Sequence, residues 1–151
     1  MTLRPLYVVR FHYPDGWQVD LAGPAGTEEH HYYFAEGRCE GTISGKFRAG
    51  NHPRRRTDRT FEMNMQGFIE TDDGALIMTD YKGYGRAYPV GRRQVVGAAW
   101  HVTAAEKYRS LNDSVCVISG EVRAPDKPDV QQADVQLVLE VAELVWEAPP
   151  D

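Results

Sequence analysis

Acidic, phenolic and imidazole side chains recur in the parts of this chain that are rich in strand-forming residues. Such groups donate and accept protons near neutral pH once burial has shifted their pKa values. The candidate catalytic residues are Glu40, Glu70, Tyr81 and His101. In this hypothesis one of the two glutamates moves a proton, while Tyr81 or His101 polarises an oxygen atom of a ligand.

A second set of side chains is suited to holding that ligand. The candidate ligand-binding residues are Arg48, His52, Asp80, Tyr84, Trp100 and Tyr108. Arg48 would hold an anionic end, because a guanidinium matches the geometry of a carboxylate or a phosphate. The alternative is that the charged residues lie on the outside as solvated charges and that the aromatic residues fill a core.

Two further groups have a simpler structural interpretation. The basic cluster consists of Lys46, Arg48, Arg54, Arg55, Arg56 and Arg59, and we favour a solvated loop balanced by nearby acids over a specific anion site. Asp72 and Asp73 resemble a pair of catalytic carboxylates, but with Thr71 and Gly74 they form a typical hairpin turn. Turn chemistry is therefore the preferred explanation of these two aspartates.

The histidines do not have the spacing of a metal site. His30 and His31 are adjacent, so on one strand they point to opposite faces, and Glu36 follows them. His52 or His101 could complete a site, although nothing in the spacing requires it. We predict no metal and no cofactor.

Length and composition set the broad class. The chain has 151 residues, which predicts one domain over residues 1–151, and its net charge of -5 argues against binding to nucleic acid. No apolar run approaches the roughly 20 residues needed to span a bilayer. Residues 1–5 do not resemble a signal peptide, and Cys39 and Cys116 are too few for a disulfide framework. We expect a cytoplasmic protein whose partner is a small-molecule ligand, with no nucleic-acid or membrane partner; a homo-oligomer stays open.

The hairpin over residues 63–88 is the centre of the predicted architecture. A two-residue turn at Asp73-Gly74 would place Glu70 opposite Ile77, and a three-residue turn would exchange the faces, so the sequence leaves open whether Glu70 or Ile69 points inward. Strand-forming stretches occur at residues 3–13, 17–21, 31–38, 40–48, 94–102, 114–123 and 133–146. Turns or loops are expected at residues 14–16, 23–26, 49–58, 89–93 and 124–129.

Two segments of the chain have a pattern that is compatible with a helix. Residues 103–111 carry the short helical signature of the chain, with Thr103 as a cap. Residues 133–146 fit both a period of two and a helical stripe, and their β-branched content favours a strand. Together these elements predict an all-β protein: a closed antiparallel β-barrel of about eight strands with one short helical turn.

Several motifs are similar to those of a known family. They are Glu40-Gly41 with Gly45 and Arg48-Ala49-Gly50, then residues 70–77 with Tyr81-Lys82-Gly83, then residues 106–112. In this order they resemble the uncharacterised DUF3237 (UPF0311) family. The resemblance implies a compact antiparallel barrel, similar to allene oxide cyclase and to lipocalin-like barrels, and implies no established reaction. The family usually has a Gly-Gly-Asp-like loop where this chain has Gly50-Asn51-His52-Pro53.

The leading functional hypothesis is a barrel that binds a small, partly apolar, oxygenated ligand. It would catalyse a cofactor-free isomerisation, a cyclisation, or the addition or loss of water. A non-catalytic carrier or sensor is the second hypothesis, and a cupin-like metalloenzyme is the third.

Overall fold

The computed structural model describes residues 1–88 and 92–151. Its strands are β1 (Thr2–Gly23), β2 (Gly26–Gly41), β3 (Gly45–Asn51), β4 (Arg54–Arg55), β5 (Phe61–Thr71), β6 (Leu76–Tyr88), β7 (Arg92–Thr103), β8 (Cys116–Arg123) and β9 (Gln136–Val145). Two 3₁₀ helices cover Glu106–Asp113 and Gln132–Asp134. The turn predicted before β7 falls partly on residues 89–91, which lie outside the described residues.

The strands close into a ring. Each long strand pairs antiparallel with the next long strand along the chain, and β1 pairs with both β2 and β9. The short β4 pairs with β2 and β5 and so extends the position of β3. The eight strands of the ring are not spaced evenly around one axis. The predicted all-β barrel is therefore confirmed, and none of the described helices is long and apolar enough to cross a membrane.

The first strand is longer than predicted. Residues 3–13 and 17–21 were expected to be separate strands with a turn between them, but β1 is continuous. Its register against β2 shifts between His12 and Asp15, so Pro14 is absorbed as a bulge. Because both halves of β1 pair with one partner strand, the turn-forming residues bend the strand without reversing it.

The predicted loop at residues 49–58 is likewise wrong in part. The strand β3 runs on to Asn51, and Arg54 and Arg55 form β4. Pro53, which lacks an N–H donor, lies between them, and its carbonyl accepts a hydrogen bond from the His31 amide. The break therefore separates two parts of one position in the ring.

The hairpin between β5 and β6 has a three-residue turn. The Gly74 amide donates to the Thr71 carbonyl, and the Thr71 amide donates to the Ala75 carbonyl. Only Gly74 in this turn has a positive φ, of 89°, as in a type I turn followed by a glycine bulge. Glu70 is therefore opposite Leu76, and the register with Ile77 expected from a two-residue turn is wrong.

Of the two segments with a helix-compatible pattern, one is a strand and the other is a 3₁₀ helix. Residues 136–145 form the strand β9, as favoured. The predicted helical turn is the 3₁₀ helix Glu106–Asp113, but its N-cap is Ala105 rather than Thr103. The Thr103 hydroxyl instead donates to the Leu76 carbonyl, and the Asn112 side chain bonds both backbone groups of Thr103.

The core lies inside the ring and follows the alternation of the strands. Fully buried inward side chains include Val9, Phe11, Cys39, Phe47, Met65, Ile69, Ile77, Tyr81, Cys116, Leu139 and Val141. Both cysteines are unpaired thiols and buried, as predicted.

The glycine at the start of β3 allows close strand contact. An added Cβ at Gly45 would lie 2.2 Å from the Glu70 carbonyl oxygen and 2.6 Å from the Thr71 Cα. Both of these atoms are backbone atoms, so they cannot rotate away. We expect Gly45→Ala to lower the free energy of unfolding by about 1–3 kcal/mol, the usual cost of overpacking.

Urea denaturation measures this effect. The matched control is Lys46→Ala, because Lys46 is exposed, and it should change the free energy of unfolding by less than about 0.5 kcal/mol. Equal stability of Gly45→Ala and the wild type would contradict the role of Gly45 in close strand packing.

Candidate functional site

The two ends of the barrel differ. One end is covered by the 3₁₀ helix Glu106–Asp113, whose Tyr108 and Leu111 are buried, and by the buried Ile43 between β2 and β3. The other end opens into a cavity of about 310 Å³. Its lining residues are Tyr13, Tyr33, Asn51, Pro53, Phe61, Met63, Gly85, Arg93, Val95, Val122, Gln132, Val135 and Leu137. We call this cavity the barrel mouth.

The mouth has apolar walls and few polar groups. Tyr13, Tyr33, Asn51 and Arg93 are on the inward face of four different strands, so their side chains converge. A largely apolar cavity with a few convergent polar groups is typical of a small-molecule site.

Arg93 gives the mouth a positive charge. Its guanidinium lies 4.1 Å from the centre of the Phe61 ring, and it forms an ion pair with none of the residues that the structure describes. Nearby, Arg55 and Arg59 share the carboxylate of Glu29, at 3.0 and 3.7 Å. Burial and the neighbouring Arg55 lower the pKa of Arg93. An arginine stays protonated in proteins, so an anion would be favoured beside it.

Two stacked tyrosines form another wall. The rings of Tyr13 and Tyr33 are 4.3 Å apart and almost parallel, at 15°. The Asn51 side-chain amide donates to the Tyr13 hydroxyl at 2.9 Å. Burial raises the pKa of Tyr13, so its hydroxyl stays protonated near neutral pH.

Tyr33 is also hydrogen-bonded to a buried histidine. Its hydroxyl lies 2.9 Å from Nδ1 of His31, whose side chain is 7% exposed. The other ring nitrogen of His31, Nε2, is buried and has no hydrogen-bond partner among the described residues. Burial lowers the pKa of His31, with Glu29 and Asp20 opposing this shift. Burial raises the pKa of Tyr33, with Arg93 opposing.

Deeper in the barrel a separate polar network joins two of the predicted catalytic residues. The Tyr7 hydroxyl lies 2.6 Å from that of Tyr81 and 2.7 Å from Nε2 of His101. Nδ1 of His101 lies 3.8 Å from the Cys116 sulfur. Burial raises the pKa values of Tyr7 and Tyr81, raises that of Cys116 to about 11, and lowers that of His101 to about 4.

This network does not line the mouth. Phe47 stacks on Tyr81 at 5.9 Å, Phe11 contacts Phe47 at 5.4 Å, and Tyr13 contacts Phe11 at 5.8 Å between ring centres. Aromatic side chains thus separate the network from the cavity. Tyr81 and His101 come together as inward residues, but they lie below the floor of the mouth.

The predicted catalytic glutamates lie outside the barrel. Glu40 and Glu70 are exposed, because the buried Cys39 and Ile69 take the inward positions on β2 and β5. Their placement on the outer face is incompatible with a proton transfer inside the barrel, so this part of the catalytic scheme is wrong. The three-residue turn decides the outcome for Glu70.

The predicted ligand-binding residues do not converge either. Arg48, His52, Asp80, Tyr84 and Trp100 point to the outer face, and Gln66 donates to Asp80 at 3.0 Å there. Tyr108 is buried at the closed end and donates to Asp73 at 2.8 Å. These six side chains therefore form no common site, because the strand alternation and the helix place them on different surfaces.

Local pairing explains the four arginines of the basic cluster within residues 54–59, and also His30. Arg54 contacts Glu62 at 2.8 Å and Glu28 at 3.7 Å. His30 lies 2.8 Å from the Glu28 carboxylate, and its ring centre is 5.9 Å from that of His52. Within residues 1–88 and 92–151, no three His, Cys, Asp or Glu side chains are grouped as metal ligands.

The hairpin aspartates also have structural partners. Asp72 pairs with Arg38, and Asp73 accepts from Lys107 at 2.7 Å and from Tyr108. These contacts hold the hairpin tip against β2 and against the 3₁₀ helix. The hydrogen bonds from Lys107, Thr71 and Tyr108 hold the pKa of Asp73 well below its usual value.

Sequence reasoning missed most of the mouth. Arg93 was assigned to a turn and Asn51 to a loop. A signal did exist for Arg93, since it shares the alternation of the buried Val95 and Ala99 and is therefore a charged residue in an inward position.

Comparisons with known proteins support the family and the fold. The family model DUF3237, described as a protein of unknown function, matches residues 1–138. A beta-barrel like protein from Acinetobacter baumannii AYE is 18% identical, with a TM-score of 0.74 and 94% of each chain covered. A conserved protein of unknown function from Rhodopseudomonas palustris is 18% identical, with a TM-score of 0.73 over 96% of this chain and 99% of the other.

A third solved structure is that of an enzyme from Penicillium herquei. It is 16% identical, with a TM-score of 0.62 and 93% of each chain covered. No curated protein matches the chain. At these identities the structures show a shared barrel-like fold.

Because His101 is buried without a charge partner, we expect the stability to depend on pH. The unfolded chain binds a proton at His101 near the usual pKa of 6.5, whereas the folded chain does so near 4. Stability should therefore be lost as the pH falls from about 6.5 to 4, by at most about 3 kcal/mol from this residue.

Urea denaturation at several pH values measures this loss. The slope of stability against pH should be smaller for His101→Gln than for the wild type. His12→Gln, which changes a half-exposed histidine, is the matched control. An unchanged slope in His101→Gln would contradict the assignment.

Proposed function

The chain belongs to the DUF3237 family, whose description names no function, and from the geometry of the barrel mouth we propose that it binds a small, partly apolar, oxygenated anion there. The ligand class and its location in the barrel are those expected from the sequence, but the residues proposed to hold the ligand are different. The single observation that carries the proposal is Arg93, a cation inside a mainly apolar cavity with no ion pair among the described residues.

Charge explains the anionic part of the ligand. A partly buried guanidinium that lacks a counter-charge is costly, and a ligand carboxylate offsets that cost while accepting two hydrogen bonds from the planar guanidinium. Glu29 does not meet this need, because its carboxylate already contacts Arg55 and Arg59.

The size and lining of the barrel mouth account for the apolar and oxygenated parts of the ligand. The volume of about 310 Å³ is at the lower end of the range for small-molecule sites, about 300–1,000 Å³. The walls include Met63, Val95 and Leu137, which suit an apolar or aromatic body. The hydroxyl of Tyr33 suits an oxygen atom of the ligand.

The unpaired thiols of Cys39 and Cys116 fit the proposed location in the cytoplasm.

Catalysis by this site is the second candidate function. The observation in its favour is the Tyr33–His31 pair, which places a phenol at the cavity in contact with a buried imidazole. A relative of the same fold is described as an enzyme. Cofactor-free isomerisation, cyclisation, and the addition or loss of water remain the proposed reaction types. A non-catalytic carrier would bind its ligand in the same mouth without using the Tyr33–His31 pair.

We expect Arg93→Leu to weaken the binding of aromatic carboxylates by about tenfold or more, which corresponds to about 1.4 kcal/mol. The physical reason is the loss of the cation that faces the ligand carboxylate. Titration of benzoate, phenylacetate and phenylpyruvate, followed by NMR chemical shifts, measures the dissociation constants.

Arg92→Leu is the matched control. Arg92 precedes Arg93 on the same strand, but it is exposed and faces Glu121 at 3.4 Å. Its replacement should leave the dissociation constants unchanged. If the neutral benzyl alcohol binds as tightly as the carboxylates, or if both arginine variants behave alike, the anionic part of the proposal fails.

A further inference from the structure

We infer that Tyr33 and His31 form a proton relay at the barrel mouth, through which the protein interconverts the keto and enol forms of a bound aryl 2-oxo acid. This inference rests on the proposed function, because it needs the ligand carboxylate held at Arg93. It adds an activity and a substrate class to that site.

The relay follows from the position of the two side chains. Tyr33 lines the mouth, whereas His31 lies behind it, stacked on the Tyr33 ring at 5.5 Å and against Phe61 at 5.5 Å between ring centres. The Tyr33 hydroxyl is 2.9 Å from Nδ1 of His31. A ligand therefore reaches the imidazole only through the phenol.

Burial and charge prepare both groups for this role. Because burial lowers the pKa of His31, its imidazole is neutral near pH 7 and has a lone pair to accept a proton. Once the imidazolium forms, the negative charges of Glu29 and Asp20 favour it, and the positive charges of Arg55 and Arg93 oppose it. Arg93 favours negative charge on Tyr33 and on a ligand oxygen near it.

Other residues of the mouth cannot take this role. Among the residues that the structure describes, no aspartate or glutamate lines the cavity. The Tyr13 hydroxyl accepts a hydrogen bond from the Asn51 amide, which cannot take up a proton. Acid–base chemistry at the mouth therefore falls to Tyr33.

The reaction balances without a cofactor. A C–H bond next to the ligand carbonyl breaks and its proton passes to the Tyr33 oxygen, while the Tyr33 hydroxyl proton passes to Nδ1 of His31. The electron pair of the C–H bond forms the C=C bond, and the carbonyl π electrons move to the oxygen, where Arg93 stabilises the enolate. The proton then returns from His31 through Tyr33 to the enolate oxygen and yields the enol. One phenol can serve both the carbon that loses its proton and the carbonyl oxygen, because a single carbon separates these two atoms.

The substrate class follows from the same geometry. A 2-oxo acid places its carbonyl directly beside the carboxylate, so a carboxylate at Arg93 brings the carbonyl oxygen toward Tyr33. An aryl group on the other side fits the apolar walls of Met63 and Val95. Phenylpyruvate has all three features and serves as the probe.

The strand alternation supplies matched controls. Tyr32 and His30 are neighbours of Tyr33 and His31 in the chain, but Tyr32 points outward and is 43% exposed, and His30 contacts Glu28 outside the mouth. Tyr32→Phe and His30→Asn therefore repeat the chemical change of Tyr33→Phe and His31→Asn on the opposite face.

The test follows deuterium uptake at the methylene carbon of phenylpyruvate in heavy water by NMR. The wild type should accelerate exchange above the buffer rate. Tyr33→Phe should lower the exchange rate at saturation by about 100-fold or more, the usual contribution of a general acid–base group. Its dissociation constant for phenylpyruvate should stay within about threefold of the wild type, and Tyr32→Phe should match the wild type in both respects.

His31 acts through Tyr33 and is a positioning residue. His31→Asn should lower kcat by about tenfold or more while leaving KM near the wild-type value, and His30→Asn should change neither. A purely structural role of His31 would raise KM, because Tyr33 would lose its place in the mouth. Thermal unfolding of each variant shows whether it is folded at the assay temperature.

The outcomes separate this inference from the proposed function. Binding of phenylpyruvate without exchange above the buffer rate would overturn the relay and leave the binding function intact. Full exchange activity in a folded Tyr33→Phe variant would also overturn the relay. Absence of phenylpyruvate binding to the wild type, together with absence of binding by the simple aromatic carboxylates, would overturn both.

Discussion

The antiparallel pairing of β1 with both β2 and β9 is the contact on which the remaining structure depends. It joins the ends of a meander, so each strand of the ring pairs with two others, and the part of β1 after Phe11 pairs with β2 alone. Closure also fixes which residues face inward, because successive side chains in a strand alternate between the two faces. Any polar residue in an inward position then loses water and needs another partner.

The deep half of the barrel and the mouth differ in how far this need is met. In the deep half, Tyr7, Tyr81 and His101 bond to one another, and the cost of removing them from water is offset within the network. At the mouth, Arg93 has no counter-charge among the residues that the structure describes, and it lies at a cavity that a ligand can enter. Aromatic rings between the two regions keep them separate. Burial of the deep network thus contributes to structure, whereas incomplete pairing at the mouth favours binding.

The sequence predicted the architecture better than the site. The alternating segments and the Asp-Asp-Gly turn were sufficient for a barrel, since hydrophobic period and turn chemistry are local properties. The faces were not predictable, because a turn of two or three residues reverses the outcome for Glu70 and Ile69. Asn51 was missed because it lies after the predicted end of its strand, and Arg93 was missed because it lies before the predicted start of its strand. Their strands continue because backbone pairing around the ring is a property of the closed sheet and not of the local sequence.

Three adjacent pairs show why residue type alone is a poor guide to chemistry in this fold. His30 and His31, Tyr32 and Tyr33, and Arg92 and Arg93 are chemically matched neighbours, and in each pair the second faces the interior. The outward members contact solvent or a carboxylate such as Glu28. The inward members are desolvated, and each has a shifted pKa for that reason. In a closed barrel the position of a residue in the alternation, more than its identity, decides whether it can bind a ligand or transfer a proton.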